Sequence, residues 1–226
     1  MRHLDSSTAD RALAPGPVAR AGFVAAALAL SATAPAAEPI SRTHTAAVSP
    51  EGLVAHWTFD EGQGTTVHDR AGSHHGVLHG AKWAAGVSGT ALRFDVSGAY
   101  AEFNPGAGLD MTDELTISAW LKSENFDTPI VNKLTYYAPG NYDFRTERSG
   151  ALSLSHEVGP GQRMSHYEST ARLSVGRWHH VAVSLKAGGD VNFYVDGHAA
   201  GTARQVGRFG LVNREPLRIG AKPDPY

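Results

Sequence analysis

The stretch GRWHHVAVSLKAGGDVNFYVDG, residues 176–197, decides the fold. Apolar and polar residues alternate in 181–185 and again in 191–195, and this period of two is typical of half-buried strands. The glycine-rich segment 187–190 predicts the turn between the two strands. The pair Asp196-Gly197 predicts a tight type I′ turn after the second one.

The start of this stretch, Trp178-His179-His180, has the residue types of a working site. We interpret it as strand sequence whose imidazoles form local hydrogen bonds, because it leads directly into the alternating run. Any function is therefore expected on the loops.

The alternating pattern recurs at 53–59, 115–122 and 151–156. Glycine and proline interrupt the chain at intervals of roughly eight to twelve residues, the spacing typical of a β-sandwich. No amphipathic helical stretch exceeds about two turns. The sequence therefore predicts an all-β protein with two antiparallel sheets.

Composition excludes several classes of protein. The chain has 226 residues and a formal net charge of −2, so no strong positive field would attract nucleic acid. It contains no cysteine, which excludes disulfides, thiolate zinc sites and cysteine nucleophiles.

The N-terminal region has the features of an export leader. Arg20 precedes the apolar run AGFVAAALALSATA at 21–34, which is too short to cross a bilayer of about 30 Å as a helix. Small residues follow at 34–36. The pattern predicts a Sec-type signal peptide over 1–36 and a secreted, extracellular or periplasmic protein with no membrane insertion after signal removal. Residues 37–51, which are rich in Ala, Thr, Ser and Pro, are predicted to be a flexible linker.

From residue 52 onward the chain resembles a known family. The blocks LVAHWTFDEGQG (53–64), LTISAWLKS (115–123), GRWHHVAVSL (176–185), VNFYVDGHAAGT (191–202) and PLRIGA (216–221) stand in the order found in laminin-G-like, concanavalin A-like domains. The resemblance covers residues 52–226 and implies a jelly-roll sandwich. It implies little about function, since this fold carries lectins, adhesion modules and hydrolases.

One departure from the family concerns the last strand. Relatives continue after the RIGA block with a segment like F-x-G-x-I-D-E-V-R-I-Y, which pairs beside the first strand, whereas this chain continues with AKPDPY. The domain at 52–226 is therefore expected to be C-terminally truncated. The edge at 53–59, with Trp57 and Phe59, is then predicted to be unpaired and prone to self-association.

No catalytic constellation is evident. Retaining glycosidases of this fold carry a Glu-x-Asp-x-x-Glu strand, and this chain offers only Asp143 and Glu147, roughly 13 Å apart on a regular strand at about 3.3 Å per residue. There is no Gly-x-Ser-x-Gly elbow and no phosphate-binding loop. We predict that the chain is not an enzyme.

A metal site is predicted at Asp69, which opens a glycine-bounded loop whose carbonyls could converge on a hard cation. Domains resembling this one hold a structural calcium ion there, helped by an aspartate of the absent last segment. One calcium ion is therefore expected, at a weakened site. The nearby histidines His68, His74, His75 and His79 are interpreted as a solvated loop.

Carbohydrate is the predicted partner. The segment TYYAPGNYDFR supplies Tyr136, Tyr137 and Tyr142 for stacking, with Asn141 and Arg145 for hydroxyl groups. The function predicted is a secreted, non-catalytic carbohydrate-binding or adhesion module for a poly- or oligosaccharide or a cell-surface glycan. The alternative is the N-terminal part of a larger secreted enzyme that acts on glycosides or polysaccharides.

Overall fold

The fold is all-β. The computed structural model describes residues 23–31, 52–95, 98–105, 108–134, 141–158, 164–207, 209–210, 212–213 and 215–221, with only the backbone of 23–31. These residues form sixteen strands and no helix, so none of them belongs to a helix that could span a membrane. The predicted linker 37–51 lies outside the described residues, as do Tyr136 and Tyr137.

Eight strands form the first sheet, which we call the β8 sheet. They are Phe23–Ser31 (β1), Leu53–Trp57 (β2), Lys82–Ala85 (β5), Thr90–Phe94 (β6), Glu114–Ser123 (β8), Trp178–Lys186 (β13), Asp190–Val195 (β14) and His198–Arg204 (β15). Their order is β15-β14-β13-β8-β1-β6-β5, and β2 also pairs with β1.

The other eight strands form the β10 sheet. They are Thr66–Val67 (β3), Gly76–His79 (β4), Tyr100–Phe103 (β7), Thr128–Asn132 (β9), Asp143–Thr146 (β10), Leu152–Glu157 (β11), Met164–Glu168 (β12) and Leu217–Ile219 (β16). Their order is β12-β11-β10-β9-β16-β7-β4-β3. Every named strand pair in both sheets is antiparallel.

The hairpins predicted from residues 176–197 are confirmed. Strand β13 pairs with β14 from Val181 opposite Val195 to Leu185 opposite Val191. The next turn uses Asp196 and Gly197, with φ angles of 51° and 78°. Positive φ at both positions is what a type I′ turn requires, and it costs least in glycine and in residues such as aspartate.

The core lies between the two sheets. Trp57 of the β8 sheet and Phe103 of the β10 sheet are fully buried, and their ring centroids are 4.1 Å apart. Gly76 stands opposite Phe103, and a Cβ atom there would lie 2.4 Å from the phenyl ring. A glycine is therefore needed at this position for the ring of Phe103 to lie against the neighbouring strand.

The prediction of an unpaired edge at 53–59 is wrong for the chain that retains residues 23–31. Strand β2 pairs with β1, with Trp57 opposite Leu28 and Ala55 opposite Leu30. Both Trp57 and Phe59 are fully buried. The strand covering this edge comes from 23–31, inside the segment that the sequence assigns to an export leader.

Candidate functional site

The predicted sugar-binding residues that the structure describes lie in the hairpin of β9 and β10 and differ in burial. Tyr142 is fully buried, and its hydroxyl donates to the carbonyl of Leu109 at 3.0 Å. Burial raises the pKa of Tyr142 above its usual value, and the charge of Asp110 adds to this. Its ring is part of the core, so the interpretation of Tyr142 as a stacking surface is corrected.

Asn141 is buried as well. Its side-chain Nδ2 donates to the carbonyl of Met111 at 3.3 Å. This contact ties the hairpin to the loop before β8. The prediction that Asn141 reaches a ligand is therefore corrected too, because its amide is already engaged inside the protein.

Arg145 lies among carboxylates. Its Nη2 is 2.5 Å from Oδ1 of Asp127, its Nη1 is 3.9 Å from Oδ2 of Asp143, and its Nε is 3.7 Å from Oε1 of Glu147. Asp143 and Glu147 thus flank one guanidinium group, and their carboxylates are closer together than the 13 Å expected from a regular strand. The arginine occupies the space between them.

A row of side chains crosses the whole β10 sheet. Directly opposed residues of neighbouring strands point to the same face of a sheet. The pairing runs strand by strand through His166, Ser155, Asp143, Asn132, Arg218, Glu102, Val77 and Thr66. We call these eight residues the cross-sheet row.

The row lies on the face that points away from the core. The residues that alternate with it along the strands, such as Phe144, Val131, Ile219 and Ala101, are buried between the sheets. Seven of the eight row residues are polar, and Val77 is the exception. Asn132 and Asp143 are buried, so the donors and acceptors open to a ligand are those of the other polar row residues.

The centre of the row contains an ion pair next to aromatic rings. Arg218 donates from Nε to Oε2 of Glu102 at 2.8 Å, and its Nη2 is also 2.8 Å from that oxygen. The guanidinium carbon lies 4.8 Å from the ring centroid of Tyr100, which stacks on His79 at 4.5 Å. Cation–π contact and ion pairing together hold Arg218 in place.

Asn132 lies beside this ion pair with an incomplete set of hydrogen bonds. Its Oδ1 accepts from the backbone N–H of Leu134 at 3.2 Å. Its Nδ2 is buried and has no hydrogen-bond partner in the part of the chain that the structure describes. A buried amide without an acceptor is unfavourable by about 1–3 kcal/mol.

The far end of the row is a hydrogen-bonded chain. Oγ of Ser155 is 3.0 Å from Nδ1 of His166, and Nε2 of His166 is 3.2 Å from Oε1 of Glu168. Two residues before Ser155 on β11, Ser153 donates from its hydroxyl to Oε1 of Glu147 at 2.5 Å. Short polar side chains that are already ordered in this way lose little conformational entropy when a ligand binds.

Asp69 serves as an acceptor for its own loop. Its Oδ1 accepts the backbone N–H groups of His56 and Ala71 at 2.8 and 2.9 Å, and its Oδ2 accepts that of His74 at 3.0 Å. Burial by itself raises the pKa of Asp69, but these bonds and one from Gly72 outweigh it and hold the pKa below its ordinary value.

These partners fit a calcium ion poorly. Calcium prefers a shell of oxygen atoms, whereas the groups that converge on Asp69 are N–H donors. Within the described ranges, no three His, Cys, Asp or Glu side chains are grouped so that they could hold a metal ion. Calcium at Asp69 stays a prediction.

The histidines of the opening stretch have structural partners. Nδ1 of His179 is 2.8 Å from Oδ2 of Asp196, and its Nε2 accepts the backbone N–H of Ser174 at 3.1 Å. The other oxygen of Asp196 accepts the N–H of His180 at 2.9 Å. Both ring nitrogens of His179 are used, which agrees with its interpretation as strand sequence.

Of the cross-sheet row and its immediate neighbours, only Asp143 within it and Arg145 beside it were identified from the sequence. Its members are spread over eight strands between residues 66 and 218 and form no local motif. Only the strand order and register bring them together. The alternating pattern of each strand could have indicated which residues face outward, but not which strands are neighbours.

Solved structures similar to this chain are binding domains of toxins. The binding domain of Paraclostridial Mosquitocidal Protein 1 is 12% identical with a TM-score of 0.59, covering 74% of this chain and 46% of that one. The receptor binding domain of botulinum neurotoxin mosaic serotype C/D is 14% identical with a TM-score of 0.53, covering 68% and 40%. That of botulinum neurotoxin D is 12% identical with a TM-score of 0.51, covering 74% and 46%.

At these identities the likeness shows the fold alone. The chain spans less than half the length of these solved chains. No curated protein matches the chain in sequence.

The family is shown by a sequence model. The model described as the concanavalin A-like lectin/glucanases superfamily (Laminin_G_3) matches residues 95–226, more than half of the chain. The match includes the blocks from 115 onward that carried the resemblance, and the two antiparallel sheets agree with it. The chain therefore belongs to the concanavalin A-like lectin/glucanases superfamily.

Proposed function

We propose that this chain is a secreted, non-catalytic module that binds a poly- or oligosaccharide, or a cell-surface glycan, through the cross-sheet row of the β10 sheet. The observation that carries the proposal is the row itself, an almost wholly polar line of side chains on the outer face of an eight-stranded sheet. The toxin binding domains that share the fold support a binding role.

The chemistry of the row suits sugar hydroxyl groups. The ion pair of Arg218 and Glu102 uses Nε and Nη2 of the arginine and a single oxygen, Oε2, of the glutamate. We expect Nη1 of Arg218 and Oε1 of Glu102 to meet two neighbouring hydroxyls of a sugar, one as donor and one as acceptor. The stacked pair of Tyr100 and His79 beside them can contribute apolar contact to the C–H groups of the ring.

A non-catalytic role is supported by Arg145. In a glycosidase, the space between the two carboxylates holds the scissile oxygen or the attacking water. Between Asp143 and Glu147 that space holds a guanidinium group within 4 Å of both. The rival hypothesis, a part of a larger polysaccharide-active enzyme, would be favoured by hydrolysis that is lost in Glu147→Gln.

Binding is tested by calorimetric titration of the purified chain with a panel of soluble oligosaccharides. Arg218→Ala should weaken binding by roughly tenfold or more, since a hydrogen bond to a charged group contributes about 1.5–3 kcal/mol. The matched control is Arg204→Ala, which removes a similar cross-strand arginine, paired with Asp190 at 3.3 Å on the β8 sheet. Equal losses in the two variants, or no binding to any sugar, would refute the proposal.

Secretion is part of the proposal and has its own test. The leader assigned to residues 1–36 should be removed after Ala36, so the exported protein should begin at Ala37. N-terminal sequencing of the protein recovered outside the cell decides this. A mature protein that retains residues 23–31 would show that this segment is not a cleaved leader.

A further inference from the structure

The arrangement of β1 in the β8 sheet differs from that of every other strand there. Along one edge β1 pairs with β8, from Phe23 opposite Ser123 to Ser31 opposite Thr116. Along its other edge it pairs with β6 through Phe23–Ala25 and with β2 through Leu28–Ser31. Among the described strands, β1 alone connects β8 to β2 and β6.

Removal of β1 would leave a slot one strand wide. Neighbouring strands lie about 4.8 Å apart, so β8 would face β2 and β6 across about 10 Å. Both walls would then present rows of unpaired N–H and C=O groups, an arrangement that favours pairing with another extended segment. Because a segment in the slot must pair with both walls at once, fewer segments fit the slot than would fit a single sheet edge.

The side chains that the walls of the slot direct into the core are apolar. Ile117, Ala119 and Leu121 of β8 are at most 2% exposed, as are Trp57 of β2 and Leu92 of β6. With the slot empty, water would reach these side chains. Refilling the slot with an extended apolar segment would restore both the backbone hydrogen bonds and the apolar burial.

The segment that fills the slot is connected to the domain differently from the other strands. Residues 32–52 separate β1 from β2, whereas β13, β14 and β15 follow one another through short turns. The sequence FVAAALALS of β1 is also the apolar centre of the predicted leader. The same nine residues thus have two alternative locations, in the sheet or in the export machinery.

We propose that the slot between β8 and the pair β2 and β6 is a strand-acceptor site, and that residues 23–31 are a detachable occupant that binds there as a separate peptide. The site takes one extended apolar segment, antiparallel to β8, in the register that β1 shows. Loss of this segment by processing would leave the domain competent to accept it again. This inference does not depend on carbohydrate binding.

The test uses the full chain with a site for a specific protease inserted between residues 37 and 51. After cutting, a fluorescent peptide of residues 22–32 should exchange with the severed β1 and bind to the domain. The uncut chain should bind it at least tenfold more weakly, because its own β1 competes at a high effective concentration. The same peptide with Leu28→Pro should also bind at least tenfold more weakly, since proline cannot donate to the sheet.

Equal binding of the two peptides, or equal binding to cut and uncut protein, would overturn the proposal. Unfolding of the cut protein once the severed segment dissociates would overturn it as well, because an unfolded domain has no acceptor site. Hydrogen exchange of the uncut chain gives a second measurement. Leu28→Pro in the uncut chain should raise the exchange rates of amides 116–123 at least tenfold and leave those of β10 and β11 unchanged. Equally fast exchange of amides 116–123 in the unsubstituted chain would contradict the inference.

Discussion

The two sheets of this sandwich are assembled in different ways. All strands of the β10 sheet come from residues 66–219, and each lies directly beside its neighbours in one unbroken order. The β8 sheet depends on residues 23–31, which hold its two halves together. The proposed binding row therefore lies on the sheet that is complete without β1, and the proposed acceptor site lies on the other.

The β8 sheet can therefore lose β1 while the proposed binding row on the β10 sheet stays in place. A chain that has lost β1 would retain every residue of the cross-sheet row. It would lose backbone hydrogen bonds only in the β8 sheet.

The largest effect is expected where the sheets touch. Trp57→Ala should lower the free energy of unfolding by about 3–5 kcal/mol, because it leaves a cavity against Phe103. Denaturant melts measure the loss. The matched variant Trp57→Phe keeps a ring and loses the 2.7 Å hydrogen bond from the indole N–H to the carbonyl of His74, so it should lose less. Equal losses in both variants would show that the ring contact does not join the sheets.

The next effect concerns a buried cation next to the β10 sheet. Lys133 is fully buried, and its Nζ contacts Oδ1 of Asp110 at 2.9 Å, Oδ1 of Asn213 at 2.8 Å and the carbonyl of Glu215 at 2.9 Å. Asp110→Asn removes the only opposite charge among these partners and should destabilise the protein by about 3 kcal/mol. Thermal melts measure it.

The control for that prediction is Lys133→Met, which replaces the cation by an apolar side chain of similar length. It should be less harmful than Asp110→Asn, since no unpaired charge is left inside the protein. A larger destabilisation by Lys133→Met than by Asp110→Asn would mean that the hydrogen bonds of Lys133 contribute more to stability than the pairing of its charge.

A smaller effect on stability is expected when the pH is lowered, because Asp69 beside β2 becomes protonated. The folded-state pKa of Asp69 lies below its ordinary value of 3.8, so the carboxylate stabilises the fold fully above that pH. The stabilisation should disappear as the pH falls through the lower, folded-state pKa. Melting curves between pH 6 and pH 2 should show a steeper acid loss for the native protein than for Asp69→Asn. Parallel curves would refute the role given to Asp69.

The smallest effect is expected from calcium. An ion at Asp69 would have to compete with the N–H groups that already occupy both carboxylate oxygens, so millimolar calcium should raise the melting temperature only slightly. The increase should be absent in Asp69→Ala. An equal increase in Asp69→Ala would mean that calcium binds elsewhere. No increase in either protein would refute a calcium site in this loop.

The sequence predicted the local structure well. The alternating runs at 115–122, 179–186 and 191–196 correspond to β8, β13 and β14, and Asp196-Gly197 is the predicted turn. These features follow from side-chain alternation and from backbone conformations that few residues adopt, and both can be seen in a short window of sequence.

The predicted sugar site was less successful for a physical reason. In the hairpin after β9, Asn141 and Tyr142 were expected at the surface because of their residue types, and both are buried. The amide of Asn141 and the hydroxyl of Tyr142 need hydrogen-bond partners when buried, so their burial depends on whether a neighbouring loop offers a carbonyl. Here Leu109 and Met111 do so, from a loop 30 to 33 positions earlier in the chain.

The sequence by itself therefore determined the class of fold, the turns and the family, since these depend on short-range patterns. The tertiary structure alone decided that polar residues of eight strands form one row and that residues 23–31 complete the β8 sheet. Strand order and register depend on contacts between residues far apart in the chain, where a strand of the right polarity can pair with several partners and only the whole packing selects one.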